Sequence, residues 1–458
     1  MNPIEIEWHQ LKLLTKQIIS TLASKGANNN LKNKLIKGAA GSFGLKIAAS
    51  GLTFIMSVIF ARFLGTAGLG TYSYAITWAN LLSIPAALGI DQLIVREMAI
   101  YRHQSRWSLM AGILRWSNFM VCSAGIILAL VAIAIARNLP GSDTSVIWAV
   151  AIAVMSVPII ALTSLRMGAM RGLHRVIVGE MPDTLFAPII IITLVCGSYV
   201  IFPTRFNVFW VLGIKITASL IAFVIGTIWL WRSLPSQVNQ VTPEYQSKKW
   251  LIDALPFMFL GTSQLLNSRI DLLMLGTIKG VEAVGIYAVL LGIVRLSVFI
   301  HQAANSVLGP AIATLYSEGK IKQLEKMLRK SMVMVSLVSL AIGGIVILLE
   351  NQILLIFGSE FLAGRTAMNI LIIGPIFTSL TGSLGLVLNM TGYQNYTAIA
   401  VGCSAVLNMI LNSITIPIWG INGAAIATTT SLVTINMVQV FLVQQKLGIY
   451  LYSLKKID

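Results

Sequence analysis

Six polar side chains crowd an apolar region past the middle of the chain. They are Gln264, Asn267, Ser268, Arg269 and Asp271, followed by Arg295. A charge at bilayer depth costs roughly 2.5–3.5 kcal/mol on insertion scales, so such groups face a bundle interior or a wet cavity. On a helix, Gln264, Ser268 and Asp271 follow the i, i+4, i+7 spacing of one face, with Asn267 beside them. Arg269 lies roughly 160° from Asp271, so these two do not pair with each other. Two arrangements satisfy the group. In one, Asp271 pairs with Arg295 and ties two spans together. In the other, the polar face lines an aqueous cavity between two halves of the chain, with positive charge in excess. A cationic cavity suits an anionic cargo such as a phosphate or pyrophosphate. Lys46, Arg115 and Lys215 are further cations within expected spans. Lys46 and Arg115 stand near span ends, where long basic side chains reach the interface. Lys215 stands about two turns inside its span.

The elements that must hold these residues are membrane helices. The 458 residues are 56% hydrophobic and only 11% charged, against about 25% charged in soluble proteins. Apolar runs of bilayer length predict twelve spans: 43–62, 72–91, 115–136, 146–165, 184–202, 208–230, 251–275, 284–313, 331–350, 366–390, 395–418 and 423–445. Residues 353–358 form a short apolar piece outside them. The runs are continuous, which excludes the ten-residue alternation of a β-barrel. The first span starts near Ser42, too far along for a leader, so no signal peptide is expected. Lysine and arginine concentrate in alternate loops, those on the side of the N-terminus. This bias predicts a multi-pass protein of the cytoplasmic membrane with both termini in the cytoplasm. It also accounts for the net charge of +17 without any nucleic-acid partner.

The chain repeats itself. Gly65, Gly70 and Tyr72 recur as Gly280, Gly285 and Tyr287 at a constant offset of 215. Met170 and Gly172 recur as Met390 and Gly392. Six spans per half give both halves the same orientation, a parallel repeat about an axis along the membrane normal. The expected organisation is an N-terminal segment 1–41, an N-lobe 42–231, a linker 232–250 and a C-lobe 251–458. In the first segment Ile4, Trp8, Leu11, Ile18 and Leu22 share one face of a helix that could lie on an anionic membrane surface. Cys122, Cys196 and Cys403 fall inside spans at spacings that match no metal site. No Walker loop and no large loop rich in carboxylate or histidine is present. These absences predict a non-enzymatic protein without metal or cofactor.

Several segments carry a family resemblance. Ala61 to Tyr72 (ARFLGTAGLGTY) resembles the start of polysaccharide flippases of the multidrug/oligosaccharidyl-lipid/polysaccharide exporter superfamily. Leu88 to Asp91 with Arg96-Glu97, Asp271 to Gly276, Gly285 to Tyr287, Ile356 to Phe361 and Gly420 to Ala425 are similar to later parts of the same pattern. The resemblance covers nearly the whole chain past residue 40. It implies an all-α membrane protein with two six-helix lobes in a V around a central cavity. It also implies alternating-access flipping of a polyprenyl-diphosphate-linked oligosaccharide, with polysaccharide assembly proteins as partners. On this reading Lys215, Arg269 and Arg295 hold the diphosphate, and Gln264, Asn267 and Asp271 line the same cavity, with Lys46 and Arg115 near it. Asp271 could also bind a coupling H⁺ or Na⁺. The rival readings are a multidrug/cation antiporter of the same superfamily, which favours acidic cavity residues, and a membrane glycosyltransferase or polymerase.

Overall fold

The computed structural model describes residues 29–137, 143–203 and 206–450, with side chains from residue 44 onward apart from a few in 260–307. The amphipathic face expected over residues 4–22 lies outside the described residues, as does the side chain of Asn267. All regular elements among the described residues are helical. The first half contains α1 (Asn29–Ala87), α2 (Ile90–His103), α3 (Trp107–Arg137), α4 (Thr144–Val154), α5 (Val157–Gly172), α6 (Val176–Met181), α7 (Ala187–Ile201) and α8 (Val208–Ser233). A π-helical turn, Pro182–Phe186, joins α6 to α7. The second half contains α9 (Ser247–Lys279), α10 (Val281–Ser317), α11 (Ile321–Leu348), α12 (Glu350–Phe357), α13 (Arg365–Thr381), α14 (Leu384–Met390), α15 (Gln394–Trp419) and α16 (Ile421–Leu447).

The molecule is an all-α, multi-pass membrane protein. Among the described residues, nine helical stretches are long and apolar enough to cross a membrane. One of them, Gly44–Ala87, is two arms. They meet at Gly65, whose φ of 66° and ψ of −174° break the helix. A side chain there would be strained, because L residues rarely adopt positive φ. The expected spans 1 and 2 are these arms. Expected spans 7 and 8 fall on α9 and α10, the longest helices of the second half, which are not among these nine stretches. The expected span 366–390 is interrupted: α13 stops at Gly382, with φ 83°, and α14 follows as a separate short helix. The short apolar piece at 353–358 falls on α12, whose Leu354 and Phe357 are buried.

The two halves form lobes, and the repeated glycine motifs meet each other between them. A Cβ on Gly70 would strike the backbone carbonyl of Val281 and lie 2.9 Å from the Gly285 nitrogen. A Cβ on Gly285 would strike the carbonyl of Thr66 and lie 2.9 Å from the Gly70 nitrogen. Thr66 and Val281, like Gly70 and Gly285, are equivalent positions of the repeat. The start of the second arm of α1 therefore crosses the start of α10 on the pseudo-two-fold axis, backbone against backbone. Only residues without Cβ allow this approach, the device that small residues provide in membrane helix pairs.

This crossing lies on the face opposite the basic loops that carry Arg96, Arg102, Arg106, Arg171, Arg175, Lys320 and Lys322. Polar bonds reinforce it. Arg62 donates through Nε to the Ile356 carbonyl at 2.7 Å, and Glu360 accepts from the Thr66 hydroxyl at 3.1 Å and from its N–H at 3.3 Å. On the basic face the lobes touch off-axis, where α2 meets the first turns of α9. Gly89 fits against the backbone of Ala254 and Met258. Trp250 Nε1 donates to the Tyr101 hydroxyl at 3.0 Å, and Arg96 pairs with Asp253 at 2.8 Å.

Candidate functional site: a cavity between the lobes

A cavity of about 600 Å³ lies between the lobes, in the half of the molecule nearer the basic face. That is within the size range of small-molecule sites. The second arm of α1 supplies Ser83, Ile84 and Ala87, and α2 supplies Asp91 and Gln92. Ser164 comes from α5, and Phe257, Met258, Gly261, Gln264 and Ser268 from α9. The α1 arm ends at Ala87, just past Pro85, and α2 starts beyond Gly89, whose φ is 70°, with Asp91 in its first turn. The break turns Asp91 and Gln92 into the cavity.

The residues singled out from the sequence distribute over four places. Gln264 and Ser268 line the cavity, one turn apart on α9 as their spacing predicts. Arg269, half-buried on α9, and Arg295, exposed on α10, stand within electrostatic range of each other. Among the described residues, neither has a carboxylate within ion-pair distance. Two like charges held together in a poorly screened setting repel, and an anion between them relieves that cost.

Asp271 sits elsewhere, inside the C-lobe. It is 4% exposed, and its Oδ2 accepts from the Thr428 hydroxyl of α16 at 3.3 Å. Its Oδ1 accepts from the Leu272 N–H at 2.8 Å. Tyr287 bonds both to Asp271 and, at 3.2 Å, to Thr428. The arrangement in which Asp271 pairs with Arg295 is not the one adopted. Hydroxyl groups satisfy the carboxyl instead.

Lys215 of α8 lies within the N-lobe, in electrostatic range of Asp183. Lys46 is exposed on the first arm of α1. Arg115 lines a second cavity, within the N-lobe.

Ser83, Asp91, Gln92 and Ser164 line the cavity without having been marked by the sequence. Asp91 carried a signal, a carboxylate beside a Gly-rich break at a span end. The serines carried none, since serine is common in membrane helices and bonds back to its own backbone, as Ser83 does to the Asn80 carbonyl at 2.7 Å.

Comparison with known proteins places this architecture. Residues 35–316, more than half of the chain, match the family described as polysaccharide biosynthesis protein, and residues 256–414 match the MatE family. The chain belongs to the polysaccharide biosynthesis protein family, within the multidrug/oligosaccharidyl-lipid/polysaccharide exporter superfamily that its motifs resemble. A probable low-salt glycan biosynthesis flippase of Haloferax volcanii is 25% identical over 85% of this chain and 79% of its own length. A second probable flippase of the same organism is 24% identical over 87% of this chain and 81% of its own length. The fold is similar to that of a multidrug resistance MATE family transporter solved in an inward-facing conformation (TM-score 0.72, 15% identity, covering 88% of this chain and 94% of that one). The lipid II flippase MurJ in an inward closed conformation shares it as well (TM-score 0.65, 13% identity, covering 88% of this chain and 87% of that one). The outward-facing conformation of a MATE family transporter overlays less closely, at a TM-score of 0.62.

Proposed function

We propose that this protein is an alternating-access flippase that moves a polyprenyl-diphosphate-linked oligosaccharide across the cytoplasmic membrane for polysaccharide biosynthesis. Twelve crossings follow when each arm of α1, α9 and α10 are counted with the other apolar helices. The basic face then lies in the cytoplasm, with the N-lobe at 42–231, the linker at 232–250 and the C-lobe at 251–458. The observation that carries the cargo class is the pair Arg269 and Arg295, two guanidinium groups in electrostatic range of each other with no carboxylate at ion-pair distance among the described residues, Asp271 lying only in longer range of Arg269. A diphosphate bridges such a pair with bidentate, charge-assisted hydrogen bonds. Gln264 and Asn267 would meet the first sugars as polar neighbours. Asp271, buried among hydroxyl groups and free of cationic partners at ion-pair distance, is the candidate group for a coupling H⁺ or Na⁺. The names of the Haloferax volcanii relatives support a glycan cargo, and polysaccharide assembly proteins are the partners such a cargo implies.

One observation favours the rival antiporter. The cavity lining includes a carboxylate, Asp91, and no cation. Reconstituted vesicles distinguish the two readings. Wild-type protein is expected to expose a fluorescent polyprenyl-diphosphate saccharide to the outer leaflet, and Arg269→Ala and Arg295→Ala to slow this at least about tenfold, the loss of one charge-assisted contact. Wild-type rates in both variants would remove the diphosphate seat. Accumulation of a cationic dye, dependent on Asp91 and without saccharide flipping, would establish the antiporter.

A further inference from the structure

The second cavity, of about 380 Å³, lies on another flank of α5. Ser164 lines the first cavity, whereas Leu165, Arg166 and Ala169 line the second. Its other walls are α3 (Leu114, Arg115, Asn118) and α8 (Phe223, Thr227, Trp231), and Val238 and Asn239 of the turn Ser236–Asn239 roof it at the basic face.

Its charge is unbalanced. No carboxylate lines it. Arg115 is exposed, with no ion-pair partner among the described residues. Arg166 is almost completely enclosed, its side chain 3% exposed. Its Nη2 donates to Asp183 on the π-helical turn, but Nε and Nη1 have no acceptor among the described residues. Asp183 also has Lys215 in range, so one carboxylate serves two cations. Gly226 leaves the room that the guanidinium occupies beside α8, since a Cβ there would fall on Nη1. A π-turn and a glycine thus hold a guanidinium with two unspent donors at the wall of a cationic cavity. Buried donors are rarely left so.

The mouth is on the membrane side. Its exposed residues on the helices, Arg115, Asn118 and Trp231, stand on α3 and α8, and the linker turn covers the end toward the basic face. Trp231 is 71% exposed and the adjoining Phe119 72%, as apolar rings are when they face lipid. Arg166 lies six residues before the end of α5 at Gly172, which is ~9 Å of helix. That is the depth of lipid headgroups and the first acyl carbons, where tryptophan anchors concentrate.

We infer that this cavity binds the headgroup of an anionic phospholipid, one whose phosphate charge no headgroup cation balances, from the leaflet at the basic face. The phosphate sits between Arg115 and Arg166, and the acyl chains leave between α3 and α8 past Phe223 and Trp231. The site is separate from the cargo cavity and does not depend on what the protein transports.

Native mass spectrometry of the full chain tests this, with release from micelles that hold phosphatidylglycerol, phosphatidylcholine or inorganic phosphate. Wild-type protein is expected to retain one phosphatidylglycerol and no phosphatidylcholine. Arg115→Ala and Arg115→Gln should each weaken retention at least about tenfold. Arg232→Ala, which removes an exposed cation of α8 outside the cavity, should leave it unchanged. Equal retention of the two lipids by wild-type protein overturns the proposal without recourse to any variant. So does unchanged retention in a folded Arg115 variant, or an equal loss in Arg232→Ala. Binding of inorganic phosphate without phosphatidylglycerol would make this a soluble-anion site and overturn the lipid assignment.

Discussion

Asp271 illustrates what a single buried carboxyl can do in a membrane lobe. It is enclosed by Thr428, Tyr287 and its own backbone, and not by a cation at ion-pair distance. Truncation and amidation therefore have different consequences. Asp271→Leu leaves one of the Thr428 and Tyr287 hydroxyls, which also bond each other, without an acceptor, a cost of roughly 1–3 kcal/mol, and is expected to lower the thermal unfolding midpoint. Asp271→Asn keeps an acceptor of the same size and should unfold near the wild-type temperature. If the carboxyl carries the coupling ion, the Asn variant nevertheless loses any dependence of transport on a proton or sodium gradient. A gradient response equal to wild type would exclude Asp271 from coupling. The sequence marked Asp271 because its cost is local and visible. It did not mark the partner, because Thr428 is 157 residues away and one of three consecutive threonines. Which threonine meets the carboxyl depends on the rotation of α16 about its axis, and a helix with no pronounced apolar face leaves that undetermined. Arg115 was misleading for a related reason. Its depth was legible, but the flank of the bundle it faces was not.

At the scale of elements, the paired Gly-x4-Gly-x-Tyr motifs were legible as a repeat, and the apolar runs fall on helices, nine stretches of which among the described residues are long and apolar enough to cross a membrane. That the two copies lie against each other was not legible, since a repeat specifies like folds and says nothing of their contact. The structure makes the glycines a lock between helices. A methyl group at position 70 falls on the Val281 carbonyl, and one at 285 on the Thr66 carbonyl, both rigid backbone. No rotamer relieves this, so the arm of α1 and α10 must move apart. Overpacking of this kind costs about 1–3 kcal/mol, enough to shift a two-state equilibrium by about five- to 160-fold. Gly70→Ala and Gly285→Ala are each expected to favour the state open on the face opposite the basic loops. Thiol labelling of a cysteine introduced at Thr66 would report it as faster modification than in the unmodified crossing. Equal labelling would mean that the helices absorb the methyl by local adjustment.

For the whole molecule, the two sets of contacts between lobes are unequal, and this sets how the lobes can rock. The contact on the axis, where Gly70 crosses Gly285 and Glu360 holds Thr66, joins one lobe to the other directly. The contact on the basic face holds only the first turns of α9, through Gly89, Trp250 and Arg96. The rest of α9 packs mainly on α15 of the C-lobe, and also on the second arm of α1, where Gly276 lies against the Tyr74 ring, with Pro256 between the first turns and this remainder. Proline removes one helical hydrogen bond and permits a bend there. The start of α9 can therefore stay with the N-lobe while the remainder follows the C-lobe, and the Arg96–Asp253 pair, exposed at Arg96 and half-buried at Asp253, adds little resistance. Opening of the opposite face, by contrast, requires the axial contact to part. A tether distinguishes the two. In a chain without Cys122, Cys196 and Cys403, Thr66→Cys and Glu360→Cys bring two thiols together where the native side chains approach to 3.1 Å. A short bis-maleimide across them should reduce vesicle transport to the background of empty vesicles, while the unreacted double variant remains active. The same reagent across Arg96→Cys and Asp253→Cys should leave most of the activity, because that bridge spans only parts that move together. If the axial tether left transport intact, separation of the glycine crossing would have no place in the cycle, and the cavity would have to exchange its contents by another route.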